Sequence, residues 1–191
     1  MLIRAFIAIE LPPELKKELT ELETLLKKNS PPVIKWVDPD SIHITLKFLG
    51  DTSDAIIDKL SLAMAESVVC ISPFELATHQ LGSFPSIVRP QVIWVGVNGE
   101  MDKLARLRDN IEKNTEALGF KRELRPFSPH LTLGRVHDGA RPNEIQRIGK
   151  LINETAFTAL HNIEVKHINL LKSQLTAAGA IHTVIGMVKL K

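Results

Sequence analysis

Near its start the chain alternates Ile3, Ala5, Ile7 and Ile9 with Arg4, Phe6, Ala8 and Glu10, a period of two in which both faces are largely apolar. That pattern predicts a strand near the centre of a sheet. Pro12-Pro13 then opens a helical period, with Leu15, Leu19, Leu22 and Leu26 on one stripe and Lys and Glu between them, to a stop at Asn29-Ser30-Pro31. Lys35-Trp36-Val37 reads as a short extended piece. Asp38-Pro39-Asp40-Ser41 reads as a turn into a strand from Ile42 to Leu49, which Gly50-Asp51 is expected to end. A second helix is expected around Ile56, Ile57, Leu60 and Met64, and a strand or strand pair between Phe74 and Phe84.

The same order then recurs. A strand from Val92 to Val97 is followed by a helix from about Met101 to Leu118, a proline-bounded approach Arg125-Pro126-Phe127-Ser128-Pro129, and a strand from His130 to Val136. Trp94 follows Phe6 by 88 positions (94 − 6) and His130 follows His43 by 87 (130 − 43), so strand and motif return at nearly one offset. This is an internal repeat of almost half the chain, residues 1–87 against 88–174, with a β-rich segment 175–191 after it. Asn143 to Asn153 reads as a helix and Ile163 to Leu171 as one strand. No low-complexity linker separates the copies, so residues 1–191 are expected to form a single bilobal domain with a cleft between pseudo-two-fold related lobes. Hairpin-like strand neighbours and the lack of a glycine-rich βα turn favour an α+β fold over a doubly wound parallel sheet.

Composition narrows the class without choosing a function. At 191 residues, 44% apolar and 24% charged, the chain is an ordinary globular protein with enough length for a core. Its 24 cations nearly balance 22 anions, so the net +2 steers an anionic partner only if the cations cluster. Cys70 is the one cysteine, which excludes an internal disulfide and a cysteine-rich zinc site, and it reads as a small buried hydrophobe. Such cysteine usage fits a reducing compartment, and a cytoplasmic location is expected. The short alternating run at the start reads as a strand rather than a signal peptide or membrane span.

Candidate chemistry lies in the repeated motif. In His43-Ile44-Thr45-Leu46 and His130-Leu131-Thr132-Leu133, alternation puts His and Thr on one face and the aliphatic residues on the other. A lone His-x-Thr on a strand is more often a surface feature than a catalyst. Two copies at matched places are different, because an all-apolar strand would pack better and nothing structural demands the polar pair twice. The residue types suit in-line displacement at phosphorus. With an ordinary pKa of about 6.5, one imidazole can be neutral and take a proton while its partner is protonated and gives one. The Thr45 and Thr132 hydroxyls would donate to non-bridging phosphate oxygens.

The segments HITLKFLG and HLTLGRV, with RAFIAIELP near the start, FPSIVRPQVIWVGV in the middle and RPFSPHLTLGRV later, resemble the 2H phosphoesterase superfamily. More narrowly, they resemble its bacterial and archaeal RNA 2′,3′-cyclic phosphodiesterases, also described as 2′-5′ RNA ligases. The resemblance spans nearly the whole chain. It implies antiparallel sheets with outer helices around a central cleft, catalytic roles for His43 and His130, phosphate binding by Thr45 and Thr132, and a phosphate-proximal Arg135. It also implies hydrolysis of cyclic phosphate ends of RNA to 2′-phosphates, with neither cofactor nor metal. Relatives commonly carry a Tyr near the end at a Gly-x-x spacing where this chain has Gly179-Ala180-Ile181-His182 and no Tyr at all.

Strict alternation from His130 would point Arg135 with Leu131 and Leu133, away from the cleft, unless Gly134 marks a bulge that re-aims it. Phe48, Trp36 and Phe127 offer rings for base stacking, against a commoner role in the core. Lys47 lies on the His43 face as a phosphate ligand or a solvated rim lysine, and Arg89-Pro90 as a backbone contact or a plain loop. Two other functions compete with RNA-end hydrolysis: the same reaction on a small cyclic nucleotide, and a non-catalytic RNA-end-binding module. Intact histidines in both copies argue against the second. No His-Glu-x-x-His or cysteine cluster supports a metallohydrolase. The expected partner is therefore RNA, with no membrane, for a chain acting as a monomer.

Overall fold

The computed structural model describes residues 2–157, 161–176 and 179–191. Strand β1 (Leu2–Glu10) is followed by helix α1 (Pro13–Asn29), whose Leu15, Leu19, Leu22 and Leu26 are buried as their spacing requires. Short β2 (Ile34–Trp36) and a 3-10 turn at Pro39–Ser41 lead into β3 (His43–Ser53). Next come α2 (Ile57–Ser67), the hairpin of β4 (Phe74–Ser86) and β5 (Arg89–Gly99), and α3 (Met101–Glu116). The chain finishes with β6 (His130–Val136), α4 (Pro142–Glu154), β7 (Asn162–Val165), β8 (His167–Thr176) and β9 (Gly179–Lys189).

The strands form two antiparallel sheets, in the orders β3-β1-β8-β9 and β2-β6-β5-β4-β7, so the α+β expectation holds. β1 sits inside its sheet, paired on both edges, which explains its two apolar faces. α4 packs on β4 and β5, α3 on β3, and α2 on both α3 and β9. One apolar cluster runs through both sheets and all four helices, from Ile7 and Leu15 to Leu107, Leu131 and Ile148.

Three expectations need correction. Gly50-Asp51 does not end β3. Gly50 adopts a φ of 69°, the ladder with β1 slips by one residue there, and pairing continues to Ser53. The single strand expected over Ile163 to Leu171 is two, β7 on β4 and β8 on β1, so the chain crosses between sheets at Lys166. Cys70 is exposed, at a φ of 63° in the turn after α2.

The repeat is visible in the ladders. Thr45 faces Ala8 and His43 faces Glu10, while Thr132 faces Trp94 and His130 faces Gly96. The equivalent of Trp94 is thus Ala8 rather than Phe6, an offset of 86 (94 − 8) instead of 88. The fourth strand of each copy is exchanged: β4 pairs with β5 of the second copy, and β8 pairs with β1 of the first.

Candidate active site

Each His-x-Thr begins a strand and is followed by a bulge at the same place. Between Ile7↔Lys47 and Ala8↔Thr45 the residue Leu46 is extra, and between Ile93↔Gly134 and Trp94↔Thr132 the residue Leu133 is extra. Burial along the two segments is accordingly the same. His43 and Thr45 are half-buried, Ile44, Leu46 and Lys47 buried and Phe48 exposed; His130 and Thr132 are half-buried, Leu131, Leu133 and Gly134 buried and Arg135 exposed. The bulge shifts side-chain parity by one, which returns Phe48 to the face of His43 and Thr45, and Arg135 to the face of His130 and Thr132. Arg135 is close enough that its charge contributes to lowering the His130 pKa.

The histidines are held alike. His43 Nδ1 is 2.8 Å from the Ser41 carbonyl and His130 Nδ1 is 2.7 Å from the Ser128 carbonyl. A carbonyl only accepts, so each Nδ1 carries a proton and each neutral ring keeps its lone pair on Nε2. The two motif strands, one from each sheet, approach within 8 Å between Cα atoms. Among the described residues neither threonine hydroxyl has a hydrogen-bond partner within the protein.

Aromatic rings enclose both imidazoles. Phe6 stacks on His43 at 4.6 Å between centroids, and His182 meets His43 edge-on at 5.2 Å and Phe6 at 4.9 Å. Phe84 meets His130 edge-on at 5.0 Å, with Trp94 at 6.4 Å. Burial is the largest cause of the resulting pKa shifts: His43 is pushed down to about 4, and His130 is pushed down too. Beside His43 a cavity of about 260 Å³ is lined by Glu10, Asp38, Asp40, Ser41 and His182. Among the described residues no three His, Cys, Asp or Glu side chains gather as ligands for a metal ion.

Sequence reasoning missed several of these neighbours. His182 reaches His43 only because β9 lies on β8 and β8 on β1, and no local pattern announces that pairing. Phe48 is 73% exposed and lies 6.2 Å from the Phe6 ring, so the core role favoured for it is wrong. Trp36 and Phe127 do pack against the core. Lys47 fits neither reading given for it. The bulge turns it inward, where its ammonium donates to Glu112 at 2.5 Å and to the Lys121 carbonyl at 2.9 Å. Glu112 also accepts from the Glu123 backbone N–H at 3.2 Å and lies 3.5 Å from Arg108. The network thereby ties β3 to α3 and to the irregular segment that delivers His130.

Comparison with known proteins shows the family and the fold. The sequence model of the 2′-5′ RNA ligase superfamily matches residues 11–176. The chain is 30% identical over 183 residues to the RNA 2′,3′-cyclic phosphodiesterase of Methanothermobacter thermautotrophicus, covering 96% of each. It is 35% identical over 156 residues to that of Aeropyrum pernix, covering 82% of this chain and 86% of the other. A crystal structure from Thermus thermophilus superposes with a TM-score of 0.76 at 25% identity over 98% of both chains. Escherichia coli LigT complexed with 3′-AMP superposes at 0.75 and 23% identity, over 100% of this chain and 99% of that one, a likeness of fold alone. Since that sequence model runs through both His-x-Thr strands and most of the chain, the protein belongs to the 2′-5′ RNA ligase superfamily.

Proposed function

We propose that this protein opens 2′,3′-cyclic phosphates at RNA ends, leaving a 2′-phosphate, by acid–base catalysis between His43 and His130 without a metal ion. The observation that carries this reading is the pair of identically held histidines, each fixed through Nδ1 to a carbonyl two residues earlier, with Nε2 left for chemistry. The names of the relatives, RNA 2′,3′-cyclic phosphodiesterase in both archaeal cases, supply the substrate class.

The two environments suggest the roles. His43, enclosed by Phe6 and His182, is held neutral down to about pH 4 and suits the base that takes a proton from water as its oxygen attacks phosphorus. As the P–O3′ bond breaks, His130 protonates the leaving 3′ oxygen. The bound phosphate anion raises the pKa of His130 and so loads it with that proton. Thr45 and Thr132 donate to the non-bridging oxygens, and Arg135 neutralises the charge that gathers there. With a 5′-hydroxyl in place of water as the nucleophile, the same displacement, forming the O5′–P bond as P–O3′ breaks, would join the ends through a 2′-5′ linkage, and its reverse would cleave one. Incubating the protein with an oligonucleotide ending in a 2′,3′-cyclic phosphate and identifying the new end group tests the proposal. A 2′-phosphate supports it, and an untouched cyclic end sinks it.

A further inference from the structure

A second feature lies at the far end of the strand that faces His130. The β4–β5 hairpin tip rests on α4, so closely that a Cβ on Gly149 would overlap the Ile87 carbonyl. Between them runs a groove of about 1110 Å³, with Ile87, Val88 and Ile145 as apolar wall and Arg89, Arg147 and Lys150 as its charges. Among the described residues no aspartate or glutamate lines it. Glu144 pairs with Arg141 at 2.9 Å, outside the groove, whereas Lys150 itself pairs with the exposed Glu154 at 3.8 Å, a contact that solvent weakens. Val88 is 81% exposed, an apolar side chain held in water at the mouth of a cationic groove.

We infer that this groove binds the single-stranded RNA upstream of the reacting end, with Arg89, Arg147 and Lys150 on its phosphates and the apolar wall under its bases. The inference rests on the reading of the cleft as an RNA-end site and extends it from a terminal nucleotide to an oligonucleotide. Charge complementarity favours a polyanion, and in a chain whose charges nearly cancel, Arg89, Arg147 and Lys150 against the one exposed Glu154 carboxylate leave a net positive local field. Continuity favours the substrate itself. β5 carries Arg89 at one end and Trp94, opposite Thr132, five residues on, a separation of about 16 Å at strand rise. Contacts of this kind recognise backbone and apolar surface, so they bind many sequences.

The test uses the whole protein and the R89A/R147A/K150A variant. Binding of a fluorescent 3′-hydroxyl RNA of about eight nucleotides is followed across salt concentrations, a length within the usual site sizes. Losing three phosphate contacts should flatten the slope of log affinity against log salt by about 2, from roughly 0.7 per contact. kcat/KM should fall about tenfold for an oligonucleotide with a cyclic phosphate end and stay unchanged for a 2′,3′-cyclic mononucleotide. An unchanged slope would overturn the inference, as would equal loss of binding to polyglutamate of matched length or a parallel fall in mononucleotide turnover. If the wild type hydrolyses no cyclic phosphate, the reading of the cleft fails, while the binding measurement still decides the groove.

Discussion

His43 and His130 lie in environments that resist charging, and this fixes how activity should depend on pH. On the roles proposed above, the free enzyme needs its base neutral, which holds above about pH 4 for His43, and its acid protonated, which for His130 requires a pH below the ordinary value of about 6.5. kcat/KM should therefore peak on the acid side of neutrality. The kcat profile should lie higher, because the bound phosphate anion favours imidazolium. A kcat/KM optimum well above neutrality would contradict the assignment. His43→Ala and His130→Ala should each lower turnover by about 10²–10⁴-fold, less than additively in the double variant, with smaller losses for Thr45→Ala and Thr132→Ala. Lys47 makes a separate case. Its ammonium and the Glu112 carboxylate are almost fully buried, so Lys47→Met strands a buried charge and should cost about 3–5 kcal/mol in urea unfolding. Adding Glu112→Leu should recover most of that loss.

At the scale of elements, the paired bulges give the two motif strands matching faces. Without them Phe48 and Arg135 would share the side of Ile44 and Leu131; with them each lies beside its own His and Thr. Gly82 shows how tightly the second motif is supported, since a Cβ there would overlap the Trp94 indole, which in turn flanks His130. Gly82→Val should displace that ring and destabilise the protein by about 1–3 kcal/mol, with a fall in kcat beyond what stability accounts for. Unchanged kinetics in a folded Gly82→Val protein would show that Trp94 does not position the histidine. Much of this layer was legible in the sequence. Periodicity places α1, α3, α4 and β6 within a few residues, because each buries one stripe or one face and carries its own stop signals. The bulge beside Gly134 was legible as one of two options. Less legible were features that depend on distant pairing: the inward turn of Lys47, the break at Lys166 that sends β7 and β8 to different sheets, and the arrival of His182 at His43. Local pattern records which face of a strand is apolar, not which strand lies alongside it.

At the scale of the molecule, exchange of β4 and β8 between the copies makes each sheet a joint product of both. Neither copy closes its sheet alone, so the chain should unfold in one transition, and separate expression of residues 1–87 should give no stable fold. Thermal unfolding of the intact protein in two resolved steps would contradict this. Lowered histidine pKa values also set the direction of acid sensitivity. Between about pH 6.5 and 4 the unfolded chain holds more protons than the folded one at His43, so stability must fall as pH falls through that window. His43→Gln should flatten the dependence. No helix among the described residues is long and apolar enough to cross a membrane. The central claim is that two histidines move both protons without a metal ion, and the most direct measurement is end-group analysis of a 2′,3′-cyclic phosphate oligonucleotide incubated with the wild type and both histidine variants in excess EDTA. The account predicts a 2′-phosphate from the wild type at undiminished rate and almost none from His43→Ala or His130→Ala. Activity that vanishes with chelation and returns with zinc or manganese, or that survives in either variant, would contradict it.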